Sequence, residues 1–334
     1  MKLPVILLTV FVLLQPLTAS SADVSYGPRL EGFDYPYPVQ YFGLSSQQQS
    51  LEMAYLDVPA EKARANAKAV VLLHGKNFCA ATWDASIKAL TGAGYRVIVP
   101  DQIGFCKSSK PKQYQFSFQQ LAANTKALLD KLNISTVTVM GHSMGGMLAS
   151  RFALQYPGAT EQVVLVNPIG LEDWKALGVP FRTVDEWYQR ELKTSADGIR
   201  NYQRNTYYAG QWRDDFEPWV QMQAGMYRGE GREQVAWNSA LTADMIFTQP
   251  VVYEFGQLTM PVLLLIGEQD NTAIGKDAAP AELKAKLGNY AKLGPATAAA
   301  IPKATLIRFE DLGHSPHIQA PERFHQALIP ALTK

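Results

Sequence analysis

The stretch "VMGHSMGGM", residues 139–147, decides the fold. It closes the β-rich run "TVTVMGH" (136–142) and leads into "MLASRFALQY" (147–156), whose apolar spacing is helical. Within it Gly141-His142-Ser143-Met144-Gly145 fits G-x-S-x-G, a pattern with chemical meaning only between a strand and a helix. The two glycines leave room for a strained turn that lifts the Ser143 hydroxyl above a sheet edge. A helix starting there also aims free N–H groups and its positive dipole end at the same place. Ser143 is the candidate nucleophile.

Working outward, the chain alternates apolar runs with amphipathic stretches. Strands are predicted at 39–44, 50–58, 69–74, 95–101, 136–142, 162–168, 261–268 and 304–312. The first two alternate in polarity around "SSQQQ", as an antiparallel hairpin does. The later runs are near-continuous Val, Ile and Leu, as in strands covered on both faces. Helical patterns at 82–93, 117–132, 144–156 and 321–332 fall between or after them. That rhythm predicts an α/β fold: a mostly parallel, eight-stranded sheet flanked by helices and joined by right-handed crossovers.

Residues 171–250 break the rhythm. They hold no convincing strand but five of the six tryptophans, Trp174, Trp187, Trp212, Trp219 and Trp237, and read as a helical cap over one sheet edge. Most of these aromatics should pack on one another and a few should line a pocket. Residues 271–303, rich in Ala, Lys and Gly, read as a loose stretch. The expected division is a core of 23–170 and 251–334 with a cap of 171–250.

A serine hydroxyl needs a base, and the chain offers five histidines. His142 lies inside the turn, on the far side from Ser143 if the strand alternates. His74 ends a strand and His325 belongs to the last helix. His314, in "FEDLGHSPH" (309–317), follows the final strand at a Gly-marked loop and is the best-placed base. His317 is expected to be a solvated or cap-facing loop residue. Pro316 spoils the spacing of a His314/His317 metal pair, so no metal or cofactor is expected. The carboxylate that orients the base is assigned to Asp270, just after the seventh strand in "LLLIGEQDNTA" (263–273). Glu268 is the rival, and Asp311 reads as a local brace.

The turn, the order Ser143, Asp270, His314, the "HG" after the third strand and "PDQIGFCKSSKP" (100–111) after the fourth together resemble the α/β-hydrolase fold superfamily. The resemblance covers about residues 40–334. Ser143 stands where the dehalogenases and epoxide hydrolases of that superfamily carry Asp, which argues against both chemistries. Cys106 stands where its "PDxxGxGxS" loop usually has Gly.

The resemblance implies an oxyanion hole made by the backbone N–H groups of Met144 and Lys76, with Asn77 as a possible substitute. The Lys76 ammonium would then pair elsewhere. Cys79 and Cys106 lie beyond the carboxyl ends of what are neighbouring strands in that fold. They are read either as a disulfide stiffening the oxyanion loop or as two small buried thiols.

The N-terminus, "MKLPVILLTVFVLLQPLTASSA", has an early Lys2, about a dozen apolar residues, then small residues: the pattern of a signal peptide spanning 1–22. A periplasmic or secreted protein without stable membrane insertion is expected. The 334 residues carry a formal charge of +1 with no basic block, which gives no support to nucleic-acid binding. The expected partner is a small molecule with an apolar or aromatic portion; the sequence does not fix the oligomeric state. The expected activity is hydrolysis of a carboxylic ester through an acyl-enzyme. Amide, lactone or peptide cleavage is the alternative, and a non-catalytic binding role the third.

Overall fold

The structure, a computed structural model, describes residues 24–62 and 68–332; the expected signal peptide lies outside them. Eight strands form one sheet: β1 Gln40–Ser46, β2 Gln49–Val58, β3 Ala69–Leu73, β4 Arg96–Pro100, β5 Val137–His142, β6 Thr160–Val166, β7 Val262–Gly267 and β8 Ala304–Phe309. Their order across the sheet is β1-β2-β4-β3-β5-β6-β7-β8. The β1–β2 and β2–β4 pairs are antiparallel and the rest parallel.

The central strands read as apolar runs because they are covered on both faces. Val71, Leu73, Val163, Leu165, Leu264 and Ile266 enter one core layer. Their alternate neighbours Val70, Leu72, Val164, Val166, Leu263 and Leu265 enter the other, as the two-residue period of a strand requires. The helices that supply the cover are α1 Asp84–Gly92, α2 Phe118–Lys131, α3 Met144–Gln155, α9 Tyr290–Ala300 and α11 Pro321–Ala331. Ser117 caps α2 by accepting the Gln120 N–H.

Between β6 and β7 stand four further helices, α4 Val184–Glu191, α5 Ala196–Tyr202, α6 Glu217–Arg228 and α7 Arg232–Thr248, and no strand. Their aromatics mostly pack locally: Trp187 against Ala240 and Ala243, and Trp212 against Tyr208 and Phe216. Two four-residue helices, α8 Ala281–Lys284 and α10 Pro316–Gln319, complete the set.

The loose stretch expected at 271–303 is corrected by α8 and α9. Pro295 and an Ala run hide the amphipathic period of α9, which packs through Gly294 onto Ile266 of β7. Register brings the site together. Leu73 lies opposite Gly141, His142 opposite Val166, and Val166 opposite Leu265, so the carboxyl ends of β3, β5, β6 and β7 form one edge.

Candidate active site

Ser143 sits between β5 and α3 at φ 57° and ψ −122°, a left-handed backbone that an L-residue adopts only under constraint. The constraint is visible. Its N–H donates to the Val166 carbonyl at 3.2 Å, and its own carbonyl accepts from Gly146 at 2.9 Å and Ile169 at 3.2 Å. Glycine is required on either side: a Cβ on Gly141 would lie 1.9 Å from the Gly145 carbonyl oxygen, and one on Gly145 2.0 Å from that of Leu73. Met144 is the first residue of α3, with its N–H at the helix start.

His314 and Asp270 meet at the same edge. His314 Nδ1 donates to Asp270 Oδ2 at 2.6 Å, and both side chains are buried. Asp270 Oδ2 also accepts from Asn167 Nδ2 at 3.0 Å, while its Oδ1 accepts from the Thr272 N–H at 2.9 Å and hydroxyl at 2.7 Å. Asn167, at φ 36° just past β6, also exchanges bonds with Gly267, donating at 3.0 Å and accepting at 2.8 Å. Four donors thus fix the carboxylate, and Nδ1 of the imidazole is committed to it. The rivals are occupied elsewhere: Glu268 by Arg308, and Asp311 by Arg323 at 2.8 and 2.6 Å.

The third part is the loop after β3. His74 Nδ1 donates to the Gly75 carbonyl at 2.8 Å and Nε2 accepts the Gln102 N–H at 3.0 Å, a pair of bonds that fits the neutral ring. Burial holds its pKa below the usual histidine range. A Cβ on Gly75 would come within 2.9 Å of Ser143 Cβ, so the loop presses against the nucleophile. Among the described residues the Lys76 and Met144 N–H groups donate no backbone hydrogen bond. The Lys76 ammonium is turned into the insertion, donating to Glu191 Oε1 at 2.7 Å and Ser239 Oγ at 2.6 Å. Glu191 also accepts from Tyr227 at 2.6 Å. Burial pushes the Glu191 pKa up, yet Lys76 and these bonds outweigh it and hold it below the usual range.

Cys79 and Cys106 form a disulfide, which corrects the reading of two separate thiols. The adjacent ends of β3 and β4 put their Cα atoms 5.8 Å apart, within bridging range. Cys106 has φ 43°, the conformation for which glycine is the usual residue.

Behind the site His142 Nε2 donates to the His314 carbonyl at 2.9 Å. The expectation that His317 is solvated or faces the insertion is overturned. Pro316 starts α10 and tucks the ring between Trp83 and His142, at 4.6 and 4.5 Å, where it is buried. Neither of its nitrogens has a partner among the described residues. Burial, then the neighbouring histidines, hold the pKa values of both His142 and His317 well below the usual range.

A cleft of about 1080 Å³ opens between the insertion and the 271–284 segment and reaches Lys76 and Asn77. Trp187, Ile199, Tyr202 and Ile274 give it an apolar part; most of the remaining lining is polar or charged, Glu186, Arg190, Lys193 and Asp277 among it, and Ser143, Asp270 and His314 do not line it. Trp187 is the insertion tryptophan that lines it. A cavity of about 40 Å³ shares Lys76 and Asn77 and is bounded by Phe78, Phe105 and Met226.

The sequence alone does not point to Asn167, Thr272 or Glu191. A polar residue closing the apolar run "QVVLVNP" was the signal available for Asn167. The other partners meet the site only through tertiary structure.

A family model described as alpha/beta hydrolase fold matches residues 68–321. The crystal structure of a "probable hydrolytic enzyme" from Pseudomonas aeruginosa PAO1 superimposes with a TM-score of 0.92 at 68% identity, covering 93% of this chain and 99% of that one. A 2-hydroxy-6-oxo-6-phenylhexa-2,4-dienoate hydrolase from Burkholderia cepacia is 39% identical over 107 residues, 31% of this chain and 37% of the relative. A haloalkane dehalogenase from Mycolicibacterium paratuberculosis is 31% identical over 136 residues, 40% of this chain and 44% of the relative. The chain thus spans less than half the length of these two curated relatives.

Proposed function

The chain belongs to the α/β-hydrolase fold family, and from that premise we propose that it is an exported serine hydrolase cleaving carboxylic esters through an acyl-enzyme. The observation that carries this reading is the buried His314–Asp270 pair, 2.6 Å apart, at the sheet edge where Ser143 is held in its strained turn. Ser143 Oγ attacks the ester carbonyl while His314 Nε2 takes its proton, Nδ1 being held by Asp270. The Met144 and Lys76 N–H groups receive the oxyanion. His314 then protonates the departing alkoxide, and a water activated by the same imidazole releases the acid.

The 68% identical hydrolytic enzyme of Pseudomonas supports hydrolysis. The dehalogenase match does not carry over, because Ser143 is not a carboxylate. The apolar residues of the cleft that reaches Lys76 support an ester with an apolar or aromatic portion, and its charged lining supports a polar group on the same substrate. Export is supported by the N-terminal pattern and by a disulfide of the kind oxidising compartments preserve.

The test is labelling with a fluorophosphonate followed by peptide mapping, beside a panel of short activated esters, lactones and amino-acid amides. The adduct is expected on Ser143, and Ser143→Ala is expected to lose both the label and about 10⁴-fold or more in ester turnover. Unchanged ester hydrolysis by Ser143→Ala would sink the proposal. Faster turnover of amides or lactones than of esters would replace the substrate class and leave the mechanism.

A further inference from the structure

Helix α5 does not end cleanly; it widens into a π-helical turn, Gln203–Tyr207. Such turns are rare and often found at functional sites. This one ends on Tyr207. Its ring stacks on the His314 imidazole with centroids 5.2 Å apart and planes inclined by 27°. Its hydroxyl accepts from Asn77 Nδ2 at 2.9 Å, and its ring also lies against Phe78 at 5.0 Å, Tyr202 at 5.2 Å and Tyr208 at 6.3 Å. One buried side chain therefore touches both the loop that carries the base and the loop that carries the expected oxyanion donor.

The backbone enforces this placement. The His314 N–H donates to the Thr206 carbonyl and the Ser315 N–H to that of Tyr207, each at 3.2 Å. A Cβ on Gly313 would lie 2.7 Å from the Tyr207 carbonyl oxygen, so the two segments can approach this closely only with glycine there. Burial holds the Tyr207 pKa well above its usual value, so the phenol stays neutral.

We propose that Tyr207 is a positioning residue for this reaction: it holds the His314 ring toward Ser143, fixes the oxyanion loop through Asn77, and offers its ring face to the imidazolium. The inference rests on the serine-hydrolase reading above. His314 becomes an imidazolium when it takes the proton from Ser143 Oγ, so attraction to the ring quadrupole favours the states along the reaction over the neutral base. The other titratable groups around His314 are Asp270, His142 and His317. Of these Asp270 is the acid, and burial keeps both histidines uncharged.

The experiment compares Tyr207→Leu, Tyr207→Phe, Asn77→Ala and the Tyr207→Phe/Asn77→Ala double variant. Turnover is counted per fluorophosphonate-labelled site, so misfolded protein does not enter. Tyr207→Leu is expected to lower kcat about 10- to 100-fold with KM changed less than about threefold, and to move the acid limb of kcat/KM down by about half a pH unit. Tyr207→Phe keeps the stacking, so its acid limb stays in place while kcat falls about threefold to tenfold. Asn77→Ala should reproduce that fall, and the double variant should lose no more than either single one. A Tyr207→Leu enzyme with wild-type kcat and acid limb would overturn the proposal, as would losses that multiply in the double variant. If Tyr207→Leu does not fold, the Phe and Ala cycle decides alone. Failure of the wild-type enzyme to label would bring down the serine-hydrolase reading itself; normal labelling with an inert Tyr207 brings down only this inference.

Discussion

Lys110 is a buried cation whose ammonium donates to the Cys106 carbonyl at 2.5 Å. Desolvation pushes its pKa down to about 7. The unfolded chain keeps this lysine protonated up to about 10.4, so between those values the unfolded state binds the extra proton. Stability attributable to this site therefore rises as pH increases from about 7. Wild type should gain on the order of 2 kcal/mol more than Lys110→Met between pH 7 and 9, as measured by urea unfolding at both. Asn167 poses the second question at this scale. Asn167→Ala removes one donor to Asp270 and both bonds to Gly267, and should lower kcat about tenfold with KM little changed, read from steady-state kinetics on an activated ester. Ser143 was legible in the sequence because its turn is written in neighbouring glycines, and His314 and Asp270 because each follows a strand. Asn167 and Thr272 were not, since what they do depends on a carboxylate that strand register alone brings near.

Among the elements, the loop after β3 is tied to the insertion by Lys76 to Glu191 and Asn77 to Tyr207, and to the loop after β4 by the Cys79–Cys106 bridge. Closing the loop between two cysteines 27 positions apart restricts the unfolded chain, an effect of about 3–4 kcal/mol. Cys79→Ala/Cys106→Ala should lose about that much stability in chemical denaturation. Cys79→Ala/Cys106→Gly should recover about 1 kcal/mol of it, because glycine takes the φ of 43° at position 106 without strain. Equal stability of the two variants would mean that this backbone is not strained. All eight strands were legible: the central ones as apolar runs recording burial on both faces, and β1 and β2 as an alternating pair around a turn. Helix α9 was not, because its Ala run carries no polarity pattern and Pro295 argues locally against the helix that packing on β7 secures.

Across the whole molecule all five histidines lie inside, and burial lowers the pKa of four of them, His74, His142, His317 and His325, the last to about 4. Each is neutral when folded at a pH where the unfolded chain, titrating near 6.5, begins to take up a proton. Their linked contribution is therefore intact above about 6.5 and is lost as pH falls toward 4. Stability should drop on the order of 5 kcal/mol between pH 6.5 and 5, visible in denaturant midpoints, and His317→Phe should flatten that slope. The insertion was visible in the sequence as an aromatic segment without strands, but its attachments were not. The Tyr26 N–H donates to the Gly225 carbonyl on α6 at 2.9 Å, Glu191 grips Lys76, and the Thr206 carbonyl accepts from the His314 N–H. Those three anchor points bear on heredity and on engineering. A lineage that traded this insertion for another's would trade the supports of its own chemistry along with its substrate preference. New specificities are thus to be sought by gradual change inside the segment, and a grafted chimaera would have to bring its matching loops after β3 and β8 with it.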